Sequence, residues 1–141
     1  MFFSKLVVDA NILFSFFKKD STRRLLLEKL LKKRAGINVP YITFSELLNN
    51  KDKIVRYSEI SPSEFDILIS SLRKRLIIFP DKNFEEYIKE SLSLAPHKKD
   101  IEYFAISLSL NNCPIWSDEK AFKNQSKIKI FSTEELLKLV K

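Results

Sequence analysis

Four acidic residues stand where the chain could build a site for a hard cation: Asp9, Glu46, Asp100 and Asp118. Carboxylates offer only oxygen donors, a set that suits Mg2+ or Mn2+ rather than zinc. With such an ion the accessible chemistry is phosphodiester hydrolysis. One metal lowers the pKa of a water to make the nucleophile, and a second, where present, steadies the leaving oxygen. No side-chain nucleophile is then required. The rest of the composition narrows the choice. His97 is the only histidine and Cys113 the only cysteine, which excludes a multi-histidine centre, a thiolate zinc cluster and an internal disulfide. Gly36 is the only glycine, and the phosphate-cradling loops of nucleotide-binding proteins need several.

The elements that must position these acids can be read from the hydropathy pattern. Leu6-Val7-Val8 is a short apolar run ending at Asp9, expected as a buried strand, and Ile12, Leu13, Phe16 and Phe17 follow at helical spacing. Ser21 or Thr22 is expected to cap a second helix running to Arg34, with Gly36 supplying a positive-φ stop. Ile37–Val39 reads as a strand closed by Pro40, and Thr43–Glu46 opens a third helix. Ser61-Pro62-Ser63-Glu64 is a capping box with proline at the first helical position, starting a helix to about Arg75. Leu76–Phe79 is the third strand, Phe84–Leu94 is helical, and Pro96 breaks the chain before a strongly periodic helix from Asp100. Pro114–Trp116 is the fourth strand, Ala121 and Phe122 lie in a short helical turn, and Ile128–Phe131 is the fifth strand. Ser132–Glu135 is a second capping box, for a last helix.

Short apolar strands alternating with helices predict an α/β fold: a three-layer α/β/α sandwich with a central parallel sheet of about five strands. Residues 1–141 show no repeat, low-complexity tract or linker and are expected to form one domain. In such sheets ligands bind beyond the carboxyl ends of the strands. Asp9 ends the first strand, Asp118 follows the fourth, and Glu46 and Asp100 fall in the first turns of helices that begin at that edge. All four acids therefore converge on one edge. Each also has an ordinary job available: Glu46 could close a capping box with Thr43, while Asp9, Asp100 and Asp118 could serve helix N-termini. Against those readings, ionised Asp9 after a buried strand needs a cation nearby, and clustered carboxylates repel unless one neutralises them.

The formal net charge is +7 and the pI about 9.5. A basic chain attracts polyanions, either nucleic acid or an anionic membrane surface, although the charge also serves solubility. No apolar run approaches a membrane span, and the opening Met1-Phe2-Phe3-Ser4-Lys5 leads to Asp9 without a signal-peptide core, so a cytoplasmic location is expected.

These residues resemble a known family. Val7-Val8-Asp9-Ala10-Asn11 is similar to the opening strand motif of PIN domains, with Asn two residues after Asp. Pro40 through Glu46 resembles the segment that places the family's second acid, and Asp100 through Leu108 the helix bearing the third. Ile115-Trp116-Ser117-Asp118-Glu119-Lys120-Ala121-Phe122 resembles the fourth motif: strand, hydroxyl residue, acid, then Phe. The resemblance covers nearly the whole chain. It implies a metal-dependent endoribonuclease acting on single-stranded RNA with Mg2+ or Mn2+, in which Asp9, Glu46, Asp100 and Asp118 are the catalytic, metal-holding acids. Asn11 and Ser117 take the supporting polar roles. Many small members are VapC-type toxins, usually homodimers restrained by an antitoxin protein. Other readings are an RNA-processing nuclease that is not a toxin, and an inactive RNA- or protein-binding module. A phosphatase with Asp9 as nucleophile would want a second Asp where Asn11 stands. Glu102 and Glu119 lie beside the expected acids, and Glu119, directly after Asp118, is expected to face elsewhere unless the loop turns it inward.

RNA must be held by basic residues around an acidic groove. Lys98 and Lys99, next to Asp100, are best placed. Trp116 is expected in the core rather than as a base-stacking platform. Phe14, Phe16 and Phe17 exceed what one amphipathic stripe needs and are candidates for a dimer or antitoxin surface, or for core.

Overall fold

Leu6, Val7 and Val8 have no accessible surface, as a strand covered on both faces requires. They form β1 (Lys5–Val8) at the centre of a sheet in the computed structural model, which describes residues 4–140. Met1–Phe3, part of the segment read above for a signal peptide, lie outside the described residues, as does Lys141. The other strands are β2 (Gly36–Pro40), β3 (Ile77–Phe79), β4 (Ile115–Trp116) and β5 (Ile130–Phe131). All pair in parallel, in the order β3-β2-β1-β4-β5. The order reverses between β1 and β4, and this is the crevice where open α/β sheets take ligands.

The described α-helices are α1 (Ala10–Phe14), α2 (Thr22–Lys32), α3 (Ile42–Asn49), α4 (Lys51–Ser58), α5 (Pro62–Arg75), α6 (Ile88–Ser91), α7 (Ile101–Ser109) and α8 (Thr133–Leu139). Alternation along the strands divides the core between two faces. Leu6, Val8, Ile37, Val39 and Trp116 pack with Phe16, Phe17, Leu26, Phe44, Phe65 and Leu136. Val7, Ile115 and Ile130 pack with Phe84, Phe104, Ala105 and Phe122. The α/β/α sandwich follows from that division. Trp116 is fully buried and its indole N–H donates to Thr133 Oγ1 at 3.0 Å, so it is core and offers no stacking platform. Phe16 and Phe17 are also core, the latter stacked on Phe65 with ring centroids 4.8 Å apart. This removes both from any interaction surface.

Both expected capping boxes form, at Ser61–Glu64 and Ser132–Glu135. The third does not. α3 begins at Ile42, and Thr43 Oγ1 instead meets the Tyr103 hydroxyl of α7 at 2.8 Å in the interior. Glu46 consequently sits in the second turn of α3, free of the capping role. Gly36 also departs from expectation. The positive-φ residue after α2 is Arg34, at φ 63°, with Ala35 N–H bonding to Leu30 C=O and Arg34 N–H to Leu31 C=O. That is a Schellman stop. Gly36 opens β2 where a Cβ would lie 3.1 Å from the Ser4 carbonyl oxygen, so close strand approach is what its missing side chain allows. The helical stretch after Thr43 is divided at Asn50, whose amide donates to Glu46 C=O at 2.8 Å as the chain turns into α4. The Phe84–Leu94 stretch is a 3-10 turn at Glu85–Tyr87 followed by the short α6, with hydrogen-bonded turns after it.

Candidate active site

The register of β1 on β4 pairs Val8 with Trp116, which sets the next residues, Asp9 and Ser117, side by side at the crevice. Asp9 is buried, 5% exposed. Its Oδ1 accepts the Asn11 backbone N–H at 2.7 Å and its Oδ2 accepts the Ser117 hydroxyl at 2.6 Å. Burial drives its carboxyl above the ordinary range against those two bonds; Glu119 pushes it further up and Arg23 pulls it down.

Asp100 closes the 3-10 turn Lys98–Asp100 and leads into α7. It occupies the N-cap position of α7, yet its side chain caps nothing. Its Oδ2 is buried without a hydrogen-bond partner. Burial raises its carboxyl to about 6; Glu119 and Asp9 add to the rise, while Lys99 and His97 oppose it. Glu46, half-buried on α3, is also raised, by burial and then by Glu102, with Lys99 opposing and Asp9 adding. The Thr43–Tyr103 bond ties α3 to α7 and so holds the backbones carrying Glu46 and Asp100 to one another.

Asp118 has different company. Its Oδ1 accepts the Thr133 backbone N–H at 2.6 Å, and its Oδ2 accepts the Thr133 hydroxyl at 2.6 Å and Arg23 Nε at 2.9 Å. Arg23 Nη2 completes the ion pair at 2.8 Å. Burial works to raise this carboxyl, but the bonds from Thr133 and Arg23 outweigh it and hold the group below its ordinary value. Arg23 also donates to Asn11 C=O and to Ser15 Oγ, fastening α2 to α1. Asp118 thus joins the loop after β4 to α2 and α8. The charge that Asp9 and Asp100 feel from this loop is that of Glu119. Ser117 Oγ accepts the Glu119 backbone N–H at 3.1 Å, a local turn that fixes the Glu119 backbone beside the Asp9 support.

Of the acids named from sequence, the structure brings Asp9, Glu46 and Asp100 into one electrostatic group and gives Asp118 to a structural clamp. Glu119, and Glu102 toward Glu46, complete the group. Ser117 is a support to Asp9 itself. Asn11 contributes its backbone N–H to Asp9, and its side chain is exposed. Lys98 and Lys99 are exposed in the turn before Asp100, and only Lys99 acts on the acids. Thr133, Thr43 and Tyr103 were not singled out for the site; the hydroxyl of Thr133 beside a capping box was the one local signal.

Among the described residues, no group of three or more carboxylate, imidazole or thiol side chains closes around a single point as a ready metal shell. In donor chemistry the acids nevertheless fit a hard divalent cation. All are oxygen ligands, three resist ionisation because they are buried beside one another's negative charge, and one buried oxygen has no partner.

Residues 7–138 match the family model described as PIN domain. Among solved structures, VapBC2 from Rickettsia felis bound to a DNA fragment from its promoter is similar at 20% identity and a TM-score of 0.67, over 91% of this chain and 98% of that one. PAE2754 from Pyrobaculum aerophilum is similar at 16% identity and a TM-score of 0.68, over 96% and 88%. VapBC-1 from nontypeable Haemophilus influenzae is similar at 16% identity and a TM-score of 0.64, over 92% and 98%. At such identities the likeness is one of fold. No curated protein matches.

Proposed function

The chain belongs to the PIN domain family, and from that premise we propose that it is a metal-dependent endoribonuclease that hydrolyses single-stranded RNA. The observation carrying this reading is the group of mutually repelling acids at the strand-order reversal, with Asp100 Oδ2 buried and unpartnered, in a chain of net charge +7. Without a cation that group costs stability, and selection for stability alone would place apolar or paired residues there.

Asp9, Glu46, Asp100 and Glu119 would hold Mg2+ or Mn2+. A bound divalent ion supplies acidified water and neutralises charge developing on the phosphodiester. The protein's own residues do the rest. Ser117 and the Asn11 N–H fix the Asp9 carboxylate, so its orientation is set before a cation arrives. Asp118, locked to Arg23 and Thr133, anchors the loop from which Glu119 projects. Lys98 and Lys99 offer charge to RNA phosphates at the lip of the acid group. As a single cytoplasmic domain spanning residues 1–141, the protein fits the toxin of a toxin–antitoxin pair, acting as a homodimer and restrained by an antitoxin. The fold shared with two VapBC proteins supports that finer reading.

The test is cleavage of a labelled single-stranded RNA pool with Mn2+ or Mg2+, with and without EDTA, beside Asp9→Asn. Cutting that needs the metal and disappears in the variant is the expected result. A folded, metal-supplied wild type that leaves diverse RNAs intact would turn the reading toward a binding module. Cutting that survives Asp9→Asn would sink the site assignment.

A further inference from the structure

A cleft of about 390 Å3 opens beside the acid group, between α1 and α4. Its volume lies within the range of ordinary ligand pockets. Asn11, Phe14, Arg23, Lys53, Ile54 and Tyr57 line it, and no acidic side chain does. Two of these residues connect it to the site already described. Asn11 bonds Asp9 through its backbone, and Arg23 pairs with Asp118 while lowering the Asp9 carboxyl's affinity for protons.

Tyr57 is 61% exposed although it sits on a helix with an otherwise buried partner in Ile54. Lys18 Nζ lies 5.0 Å from the centroid of its ring. The cleft thus combines an exposed aromatic ring, an apolar floor, the Lys53 ammonium and the exposed Asn11 amide, with Lys18 held against the Tyr57 ring. An aromatic surface flanked by positive charge, without hydrogen-bond fittings for one sequence, is the arrangement that holds a base and its phosphate in a single strand.

We infer that this cleft is a nucleotide subsite. It takes the base of an RNA nucleotide flanking the scissile phosphate against Tyr57 and Phe14, and the adjoining phosphate on Lys53 and Lys18. The inference rests on the nuclease reading and adds to it the place where the strand is gripped. Charge complementarity selects the occupant: Lys53 lines the cleft, Lys18 stands against Tyr57, Arg23 is engaged by Asp118, no acidic side chain lines it, and RNA carries one negative charge per nucleotide.

Two measurements together test it: KM, kcat and cut-site preference on a labelled RNA pool with Mn2+, and fluorescence anisotropy of a labelled single-stranded oligoribonucleotide. Wild type, Tyr57→Ala, Tyr57→Phe and Lys53→Ala are compared with Lys32→Ala on a solvent face. Tyr57→Ala is expected to weaken binding at least about 5-fold, with the rise in KM exceeding the fall in kcat. Tyr57→Phe restores both. Lys53→Ala lowers the slope of log affinity against log salt by about 0.7. Because Tyr57 and Lys53 are exposed, circular dichroism should show every variant folded. Cutting unaffected by Tyr57→Ala, with unchanged affinity, overturns the subsite and leaves the nuclease standing; the cleft would then be open to a protein partner. Binding that depends on Tyr57 without any cutting keeps the subsite and overturns the nuclease. If neither cutting nor binding occurs, both fall.

Discussion

Asp118 and Glu119 are neighbours in the chain with opposite surroundings. Asp118 receives a backbone N–H, a hydroxyl and a guanidinium. Glu119 is felt by Asp9 and Asp100 as uncompensated negative charge. Truncating them should therefore have different consequences. Asp118→Ala leaves the Thr133 N–H and Arg23 without their acceptor and is expected to lower stability by about 1–3 kcal/mol, read by denaturant titration. Glu119→Gln removes repulsion, so stability should hold or rise while Mn2+ affinity, read by calorimetric titration, falls. Should Glu119→Gln bind Mn2+ as the wild type does and Asp118→Asn fail to, the roles given to these two acids would be exchanged. Asp100→Asn provides a related check. It removes a buried charge whose carboxyl titrates near 6, so the metal-free protein should become more stable at pH 7.5 by up to about 2 kcal/mol, at the expense of metal-dependent cutting.

At the scale of elements, the links that matter run between helices and the crevice. α7 carries Asp100 at its start, and its Tyr103 hydroxyl reaches Thr43 on α3, so Tyr103→Phe should cost about 1 kcal/mol and slacken the spacing of Glu46 and Asp100. A fall in metal affinity larger than the fall in stability would mark that positioning role. The stop of α2 has a simpler remedy. Arg34 sits at φ 63°, where a Cβ is strained, so Arg34→Gly is expected to stabilise by about 0.5–1 kcal/mol despite added freedom in the unfolded chain. An unchanged or lower melting midpoint would count against the Schellman assignment. The helix boundaries were legible where side chains announce them: Ser61–Glu64 and Ser132–Glu135 close as read. The break at Asn50 was not, because Asn50 turns the chain by bonding back to Glu46 C=O and no proline or glycine marks the place.

For the whole molecule, pH and salt act through different groups. The Asp100 carboxyl stands at about 6 in the folded state against 3.8 in its ordinary state, so the folded protein holds this proton more tightly. That contribution is complete below the ordinary value and is lost as pH rises through about 6. Asp9 and Glu46 act in the same direction. Asp118 and Glu28, held low by Thr133 and Arg23 and by Arg75 respectively, act oppositely: their support is present above the ordinary carboxyl value and is lost as pH falls through their folded values. Denaturant titrations of metal-free protein should accordingly show stability rising from pH 7.5 to about 5 and falling below about 4. Saturating Mn2+ should abolish the gain between pH 7.5 and 5, because the cation binds the ionised carboxylates. A metal-free protein more stable at pH 7.5 than at 5 would contradict the acid group as described.

The sequence by itself determined the parallel α/β sandwich and the edge at which its acids gather, because both depend on local periodicity. A strand buried on both faces must be apolar throughout, and an acid directly after it must emerge at the strand's carboxyl end. The places of Asp9 and Asp100 are legible for that reason, one directly after a strand and the other at a helix start, whereas Glu46, expected in a first turn, lies in the second turn of α3. The direction of adjacent loop residues is not a local property. Only the tertiary structure shows Asp118 clamped, since its partners, Arg23 and Thr133, arrive from α2 and α8, 95 and 15 positions away. The same holds for Gly36 and for Thr43. What a side chain does there is set by the Ser4 carbonyl or the Tyr103 hydroxyl that packing brings against it.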